Sequence, residues 1–218
     1  MPVTPMMQQY LNIKEQYPGT ILFYRLGDFY EMFFEDAKLV SRELELTLTG
    51  KDCGLSERAP MCGVPYHAVD TYLQKLIEKG YKVAICEQMT DPATTKGLVE
   101  REVIRVVTPG TVIESNMLED RKANYIAAIC LQKNRAGCAF CDVSTGEFSL
   151  FQIQDARANL SDELARLSPS EVIVNDREAF SELEPERART AAAPAAARPA
   201  AAVTETSDQT HLSSIDSA

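Results

Sequence analysis

The sequence has no tryptophan, only two histidines (His67 and His211) and no apolar run of 18 residues. Without such a run no membrane span is expected. Met1-Pro2-Val3-Thr4-Pro5 lacks a basic region leading into an apolar core, so no secretory signal is expected and a cytoplasmic location is the default. Two histidines provide no His-Glu pair at metal-ligand spacing and no Ser/His/Asp cluster. A basic excess is also missing: 22 Lys+Arg stand against 32 Asp+Glu, a net charge of −10. This excludes nucleic-acid binding in which many Lys and Arg contacts to phosphate supply the affinity. It leaves room for a partner read through a few residues. The deficit is spread evenly, with 12 basic and 16 acidic residues in 1–115, 6 and 9 in 116–176, and 4 and 7 in 177–218.

What is present is ordinary globular composition: 218 residues, 45% hydrophobic and 25% charged, enough for one to two domains. With no secretion signal, the six cysteines at 53, 62, 86, 130, 138 and 141 are expected as reduced thiols. Cys138-Ala-Phe-Cys141 has the form of a metal or redox pair, but it lies in a strand-like run. An offset of three in a strand points the two side chains to opposite faces, and no second such pair exists to complete a zinc ribbon. No metal site is expected.

Residues 1–115 mix helix and strand signals. Thr4-Pro5 opens a helix to about Tyr17. Thr20–Leu26 reads as an apolar strand, Gly27-Asp28 as a turn, Phe29–Phe33 as a second strand near a sheet edge, and Phe34 to about Leu46 as an amphipathic helix. Pro60, Gly63 and Pro65 make Met61–His67 loop-like, with Lys51 and Arg58 in the polar loop before it. Val69, Tyr72, Leu73, Leu76 and Ile77 follow helical spacing, stopped by Gly80. Lys82–Cys86 and Arg101–Val107 read as strands. After a linker at 116–123, the strands Tyr125–Leu131, Gly137–Val143 and Glu147–Ile153 suggest an antiparallel meander. A helix at 156–167 and a fourth strand at 171–174 follow. The fold class is therefore α/β (mixed α+β), in two domains at 1–115 and 124–176. The second resembles a ribonuclease-H-like sheet that stops one helix and one strand early. From Ala191 to Ala202 stand nine alanines, two prolines and one arginine. Residues 177–218 are expected to be disordered, as a linker or as the product of truncation or a reading-frame change.

The most unusual stretch is Phe23-Tyr-Arg-Leu-Gly-Asp-Phe-Tyr-Glu-Met-Phe33. Most aromatic clusters are buried core. Strand alternation, however, puts Phe29 and Glu31 on one face and Tyr30 and Met32 on the other. A phenylalanine beside a carboxylate is a poor core face and a plausible reading head.

These residues carry a resemblance. Gly27-Asp-Phe-Tyr-Glu31, Met61-Cys-Gly-Val-Pro-Tyr-His67, Val83-Ala-Ile-Cys-Glu-Gln88, Asp91-Pro-Ala-Thr94 and Val107-Thr-Pro-Gly-Thr111 resemble, in order and spacing, the N-terminal part of the MutS family of DNA mismatch-repair proteins. The resemblance covers about residues 5–176. It implies a mismatch-recognition domain followed by a truncated connector domain with a ribonuclease-H-like fold. It implies that Phe29 enters the minor groove and stacks on a mispaired base, while Glu31 contacts that base. Met61 and His67 lie near DNA in the family, and Arg58 and Lys51 are candidate phosphate contacts. The family's ATP and Mg belong to an ATPase domain, whose phosphate-binding loop, G-x-x-x-x-G-K-[ST], does not occur in these 218 residues. No cofactor and no catalysis are therefore expected of the chain itself. The implied partners are mismatched or looped double-stranded DNA and, through the connector, a MutL-like protein. The family protein dimerises, which is not expected of this fragment, and it is nucleoid-associated when on DNA.

The physics fits such a head. A wedge unstacks a base step at a cost of a few kcal/mol, less where pairing is already faulty. Stacking on an aromatic returns about 1–3 kcal/mol and tolerates any base. Glu31 is repelled by the groove unless a base N–H satisfies it or it is itself protonated, so it penalises perfect duplex. On an acidic scaffold the head is expected to hold DNA weakly, with a shallow salt dependence. The two competing classes are a docking module for a MutL-like protein and a ribonuclease-H-type nuclease. The nuclease needs several carboxylates converging on metal, and the strands supply only Asp142.

Overall fold

The computed structural model describes residues 3–90, 95, 97–112, 123–183 and the backbone of 202–205. The Asp91–Thr94 block, all but the last residue of the expected 116–123 linker, and most of the expected tail lie outside the described residues. Two compact units divide between Thr108 and Pro109.

In the first unit α1 (Pro5–Gln16) leads to β1 (Ile21–Leu26) and β2 (Phe29–Phe33), then α2 (Phe34–Leu44), β3 (Thr49–Lys51), β4 (Ala59–Pro65), a short 3-10 turn at Tyr66–Ala68, α3 (Val69–Glu78), β5 (Val83–Gln88) and β6 (Arg101–Val107). The sheet order is β3-β4-β2-β1-β5-β6. β1 and β2 form a hairpin whose two-residue loop needs a left-handed first residue, and Gly27 provides it at φ +58°. The Gly27 amide also donates to Gln88 Oε1 at 3.1 Å, tying the tip to β5. β2 passes into α2 without a loop. Phe34 there takes φ +51°, a left-handed conformation that costs a non-glycine residue about 1–2 kcal/mol.

Alternation divides the sheet cleanly. Leu22, Tyr24, Phe33, Ala59, Ala84 and Cys86 face α1, which contributes Met7 and Tyr10. Phe23, Met32, Cys62, Val64 and Ile85 are buried on the other face, where α2 and α3 pack. One buried carboxylate sits in this core. Asp36 of α2 accepts from Lys14 Nζ at 2.7 Å, from the Leu22 amide at 2.9 Å and from the Tyr10 hydroxyl at 3.4 Å.

The second unit contains β7 (Tyr125–Gln132), β8 (Arg135–Asp142), β9 (Glu147–Ile153), α4 (Ala156–Leu167), β10 (Glu171–Val174), α5 (Arg177–Leu183) and β11 (Ala202–Glu205). β7, β8 and β9 form the expected antiparallel meander, β10 runs parallel to β7, and β11 runs parallel to β10. The order is β11-β10-β7-β8-β9. Ala156 and Leu160 of α4 and Phe180 of α5 close one core with Ile129, Cys138, Phe140 and Val172. Cys138 faces this core, while Cys141 is half-buried on the other face. Asp142 caps the turn after β8, accepting from the amides of Asn124 and Ser144 and from the Ser144 hydroxyl.

Three expectations are corrected. Residues 177–218 are not uniformly disordered: 177–183 form α5, because Phe180 has a core to fill, and 202–205 pair with β10. The ribonuclease-H-like sheet therefore does not stop early, since α5 and β11 supply the helix and strand it was expected to lack. Finally, Met61–Pro65 is strand rather than loop, and Lys51 ends β3 rather than lying in a loop. Strand pairing accommodates Pro65 as the last residue of β4, and Gly63 where neighbouring side chains need room.

Candidate nucleic-acid interface

The hairpin sets the geometry of the Phe29 region. Phe29 pairs with Leu26 on one side and Pro65 on the other, and Glu31 pairs with Tyr24 and Gly63. β2 is thus interior to the sheet, not near an edge. Phe29 is exposed because it stands at the end of its strand, beyond the reach of α1. Phe29 is 46% exposed, whereas Tyr30 is 5% exposed and Met32 fully buried. The two-residue period expected from the sequence is therefore realised. Phe29 and Glu31 share a face, and that face turns into core only at Phe33, where Tyr10 meets the Phe33 ring edge-on at 4.9 Å.

Glu31 does not stand alone. Lys51 donates to its Oε2 at 2.6 Å, with the Lys51 side chain 33% and the Glu31 side chain 17% exposed. On its way the Lys51 ammonium passes 5.8 Å from the Phe33 ring centroid. Gly63 makes room for both head residues: a Cβ there would lie 3.3 Å from the Tyr30 carbonyl, 3.6 Å from Glu31 Cγ and 3.7 Å from Phe29 Cδ1. A larger residue would push on both side chains at once.

A second cluster supports the hairpin from behind. The Arg25 guanidinium stacks 3.9 Å from the centroid of the Tyr66 ring and lies 3.5 Å from Glu87. Tyr30 donates to the same Glu87 carboxylate. Burial, with the Glu87 hydrogen bond next, pushes the Tyr30 hydroxyl up to about 12, so it stays a donor at neutral pH. The Tyr66 amide donates to the Asp28 carbonyl at 2.9 Å, fixing the end of β4 against the tip.

The other sequence candidates separate. Met61 is half-buried and packs against the core beneath α1. Arg58 is exposed and lies against Gly50, whose Cβ would be 3.1 Å from the Arg58 Cβ. Successive strand residues point to opposite faces, so Arg58 is on the side away from Lys51. His67 is exposed in the 3-10 turn, edge-on to Tyr66 at 5.7 Å. Phe29, Glu31 and Lys51 are thus brought together, with Met61 on the same sheet face beside Phe33 and Tyr66 and His67 following Pro65, while Arg58 is placed on the other face. Gly63, Arg25, Tyr66 and Glu87 were missed. Reading 59–65 as a strand would have placed Gly63 opposite Glu31. The Arg25–Tyr66–Glu87 cluster joins three separate strands or turns and leaves no local signal.

Among the described residues no group of three or more His, Cys, Asp or Glu side chains is placed to hold a metal ion. No described helix is long and apolar enough to cross a membrane.

Comparison with known proteins agrees with this architecture. The family models for MutS domain I and MutS domain II match residues 4–116 and 124–216. The second match runs through α5 and β11. The DNA mismatch repair protein MutS of Acetivibrio thermocellus is 63% identical over 175 residues, covering 79% of this chain and 20% of the relative. That of Ruminiclostridium cellulolyticum is 59% identical over 189 residues, covering 84% and 22%. That of Desulforamulus reducens is 60% identical over 177 residues, covering 80% and 20%. The chain thus spans about a fifth of the length of these relatives. It belongs to the MutS family, and its two units are that family's domains I and II.

Proposed function

We propose that this chain serves DNA mismatch repair by probing double-stranded DNA for mispaired bases, with Phe29 as the aromatic wedge and Glu31 as the carboxylate that contacts the displaced base. The observation that carries this reading is the 46% exposure of Phe29 at the end of a strand whose next residue on the same face is a half-buried glutamate. An aromatic held there by Gly27, Gln88 and the Tyr66 amide is pre-positioned, so little ordering entropy is lost when it stacks. Tyr66 and His67 extend the exposed polar and aromatic surface beside it.

The test is fluorescence anisotropy of the 218-residue chain at low salt, with a G·T heteroduplex and a matched homoduplex. Phe29→Ala is expected to abolish the preference for the heteroduplex, a loss of about 1–3 kcal/mol of stacking. Glu31→Gln is expected to raise homoduplex affinity by removing the repulsion. An unchanged or lower homoduplex affinity would sink the carboxylate's discriminating role. Binding should be weak and change little with salt, because few phosphates are neutralised.

A second reading, docking of a MutL-like protein on the second unit, is favoured by the outer face of its sheet. Phe148 and Leu150 there are 64% and 73% exposed. Retention of the chain on immobilised MutL, lost on Leu150→Ser, is the matching experiment.

A further inference from the structure

The Lys51–Glu31 pair changes what the carboxylate can do at the Phe29 site. A bare carboxylate facing the groove would meet the full negative potential of the duplex. Here its Oε2 is held at 2.6 Å by an ammonium carried on a different strand. Both partners are partly out of water, so solvent screens the pair less than a fully exposed one. The lysine is also directed: its ammonium lies 5.8 Å from the Phe33 ring centroid, and strand pairing puts Lys51, Phe33 and Glu31 on one sheet face. Lys51 therefore acts first on the carboxylate and not as a free phosphate contact.

We propose that Lys51 is a specificity-determining residue that sets how strongly Glu31 rejects perfectly paired DNA. With the pair closed, the site is close to neutral and a matched duplex is tolerated. At a mispair, a base N–H replaces the lysine as partner of the carboxylate, and the released ammonium is free to turn to a neighbouring phosphate. The same lysine thus lowers the penalty on matched DNA and is compensated when it leaves at a lesion. This inference rests on the reading of Phe29 and Glu31 given above and adds to it the residue that tunes their discrimination.

The experiment is a double-substitution cycle by anisotropy at low salt, using the 218-residue chain, the G·T heteroduplex and the matched homoduplex. Lys51→Met keeps an unbranched apolar side chain of similar length and removes the charge. It is expected to weaken homoduplex binding about fivefold and heteroduplex binding by less than about twofold, so discrimination rises. In the Glu31→Gln background the same substitution is expected to weaken both duplexes equally and leave discrimination unchanged. An equal loss on both duplexes with Glu31 intact, or a rise in discrimination that persists without the carboxylate, overturns the proposal and makes Lys51 a plain phosphate contact. Phe29→Ala serves as the separate control. If it leaves heteroduplex preference intact, or if the unsubstituted chain holds neither duplex, the underlying reading fails and the proposal falls with it. If preference is present and lost on Phe29→Ala, that reading stands whatever Lys51 does.

Discussion

In the first unit the sheet is covered on both faces, by α1 on one and by α2 and α3 on the other, and Phe29 and Tyr66 are exposed aromatics left at strand ends. In the second unit both helices pack on one face. Pairing places Ile126, Ala128 and Cys130 of β7 beside Cys141, Ala139 and Gly137 of β8, and Phe148 and Leu150 of β9 continue the row. Gly110 lies against the Ile126 end of this outer face, while Ala128, Cys130, Gly137, Phe148 and Leu150 leave it apolar and exposed toward β9 among the described residues. The same residue type, an exposed phenylalanine, therefore has different meanings. Phe29 sits beside an ion pair, anchored by hydrogen bonds at its turn, at a narrow projecting tip. Phe148 belongs to a broad surface of the kind that marks an interaction site or an aggregation risk.

Two phenylalanine truncations give the widest contrast. Phe140 is 2% exposed and stacks on Phe151 at 5.5 Å, with Tyr125 edge-on at 6.3 Å. Phe140→Ala is expected to destabilise the second unit by about 3–5 kcal/mol, while the heteroduplex preference proposed for the first unit is expected to persist. Phe29→Ala should shift stability by less than about 0.5 kcal/mol and remove that preference. Urea denaturation followed by circular dichroism, alongside anisotropy, checks both. Loss of mismatch preference in Phe140→Ala would show that the units do not act separately.

Within the first unit, Asp36 tests whether the covered core depends on its one buried carboxylate. Asp36→Asn keeps the shape but removes the charge facing Lys14, and its amide group cannot accept all three of the present donors. A buried pair broken on one side costs about 3–5 kcal/mol. Lys14, 30% exposed, is partly rescued by water, so about 2–3 kcal/mol is expected from the urea midpoint. The second unit's transition should not move.

Much of this contrast was legible in the sequence, and the gaps have physical causes. The Phe29/Glu31 against Tyr30/Met32 division followed from the two-residue period alone, because β2 pairs without a bulge and is flanked by a clear turn. The meander and α4 followed from alternation and loop glycines. β4 was misread because Pro60, Gly63 and Pro65 mimic a loop, whereas a long-range pairing with β2 decides their conformation. α5 and β11 were hidden because a seven-residue helix with one buried aromatic, and a strand beginning in an alanine run, have weak local patterns. Phe180 filling the core stabilises the helix, and the parallel edge of β10 stabilises the strand. The Lys51–Glu31 pair joins residues 20 apart on separate strands, and no local rule reports such a distance.

The smallest expected effect bears most directly on the difference between the two exposed faces. Leu150 is 73% exposed on β9, an edge strand, so it contributes little burial to lose. Leu150→Ser should change the stability of the second unit by less than about 0.5 kcal/mol. A serine still suits a strand whose side chains alternate between water and core. If the outer face is sticky, the same substitution should raise the concentration at which the chain stays monomeric in sedimentation velocity, because apolar area is removed from a contiguous patch. A stability loss approaching that of Phe140→Ala would mean instead that Leu150 is covered in solution. The second unit would then bury both faces of its sheet as the first unit does, and the comparison drawn from the two phenylalanines would no longer hold.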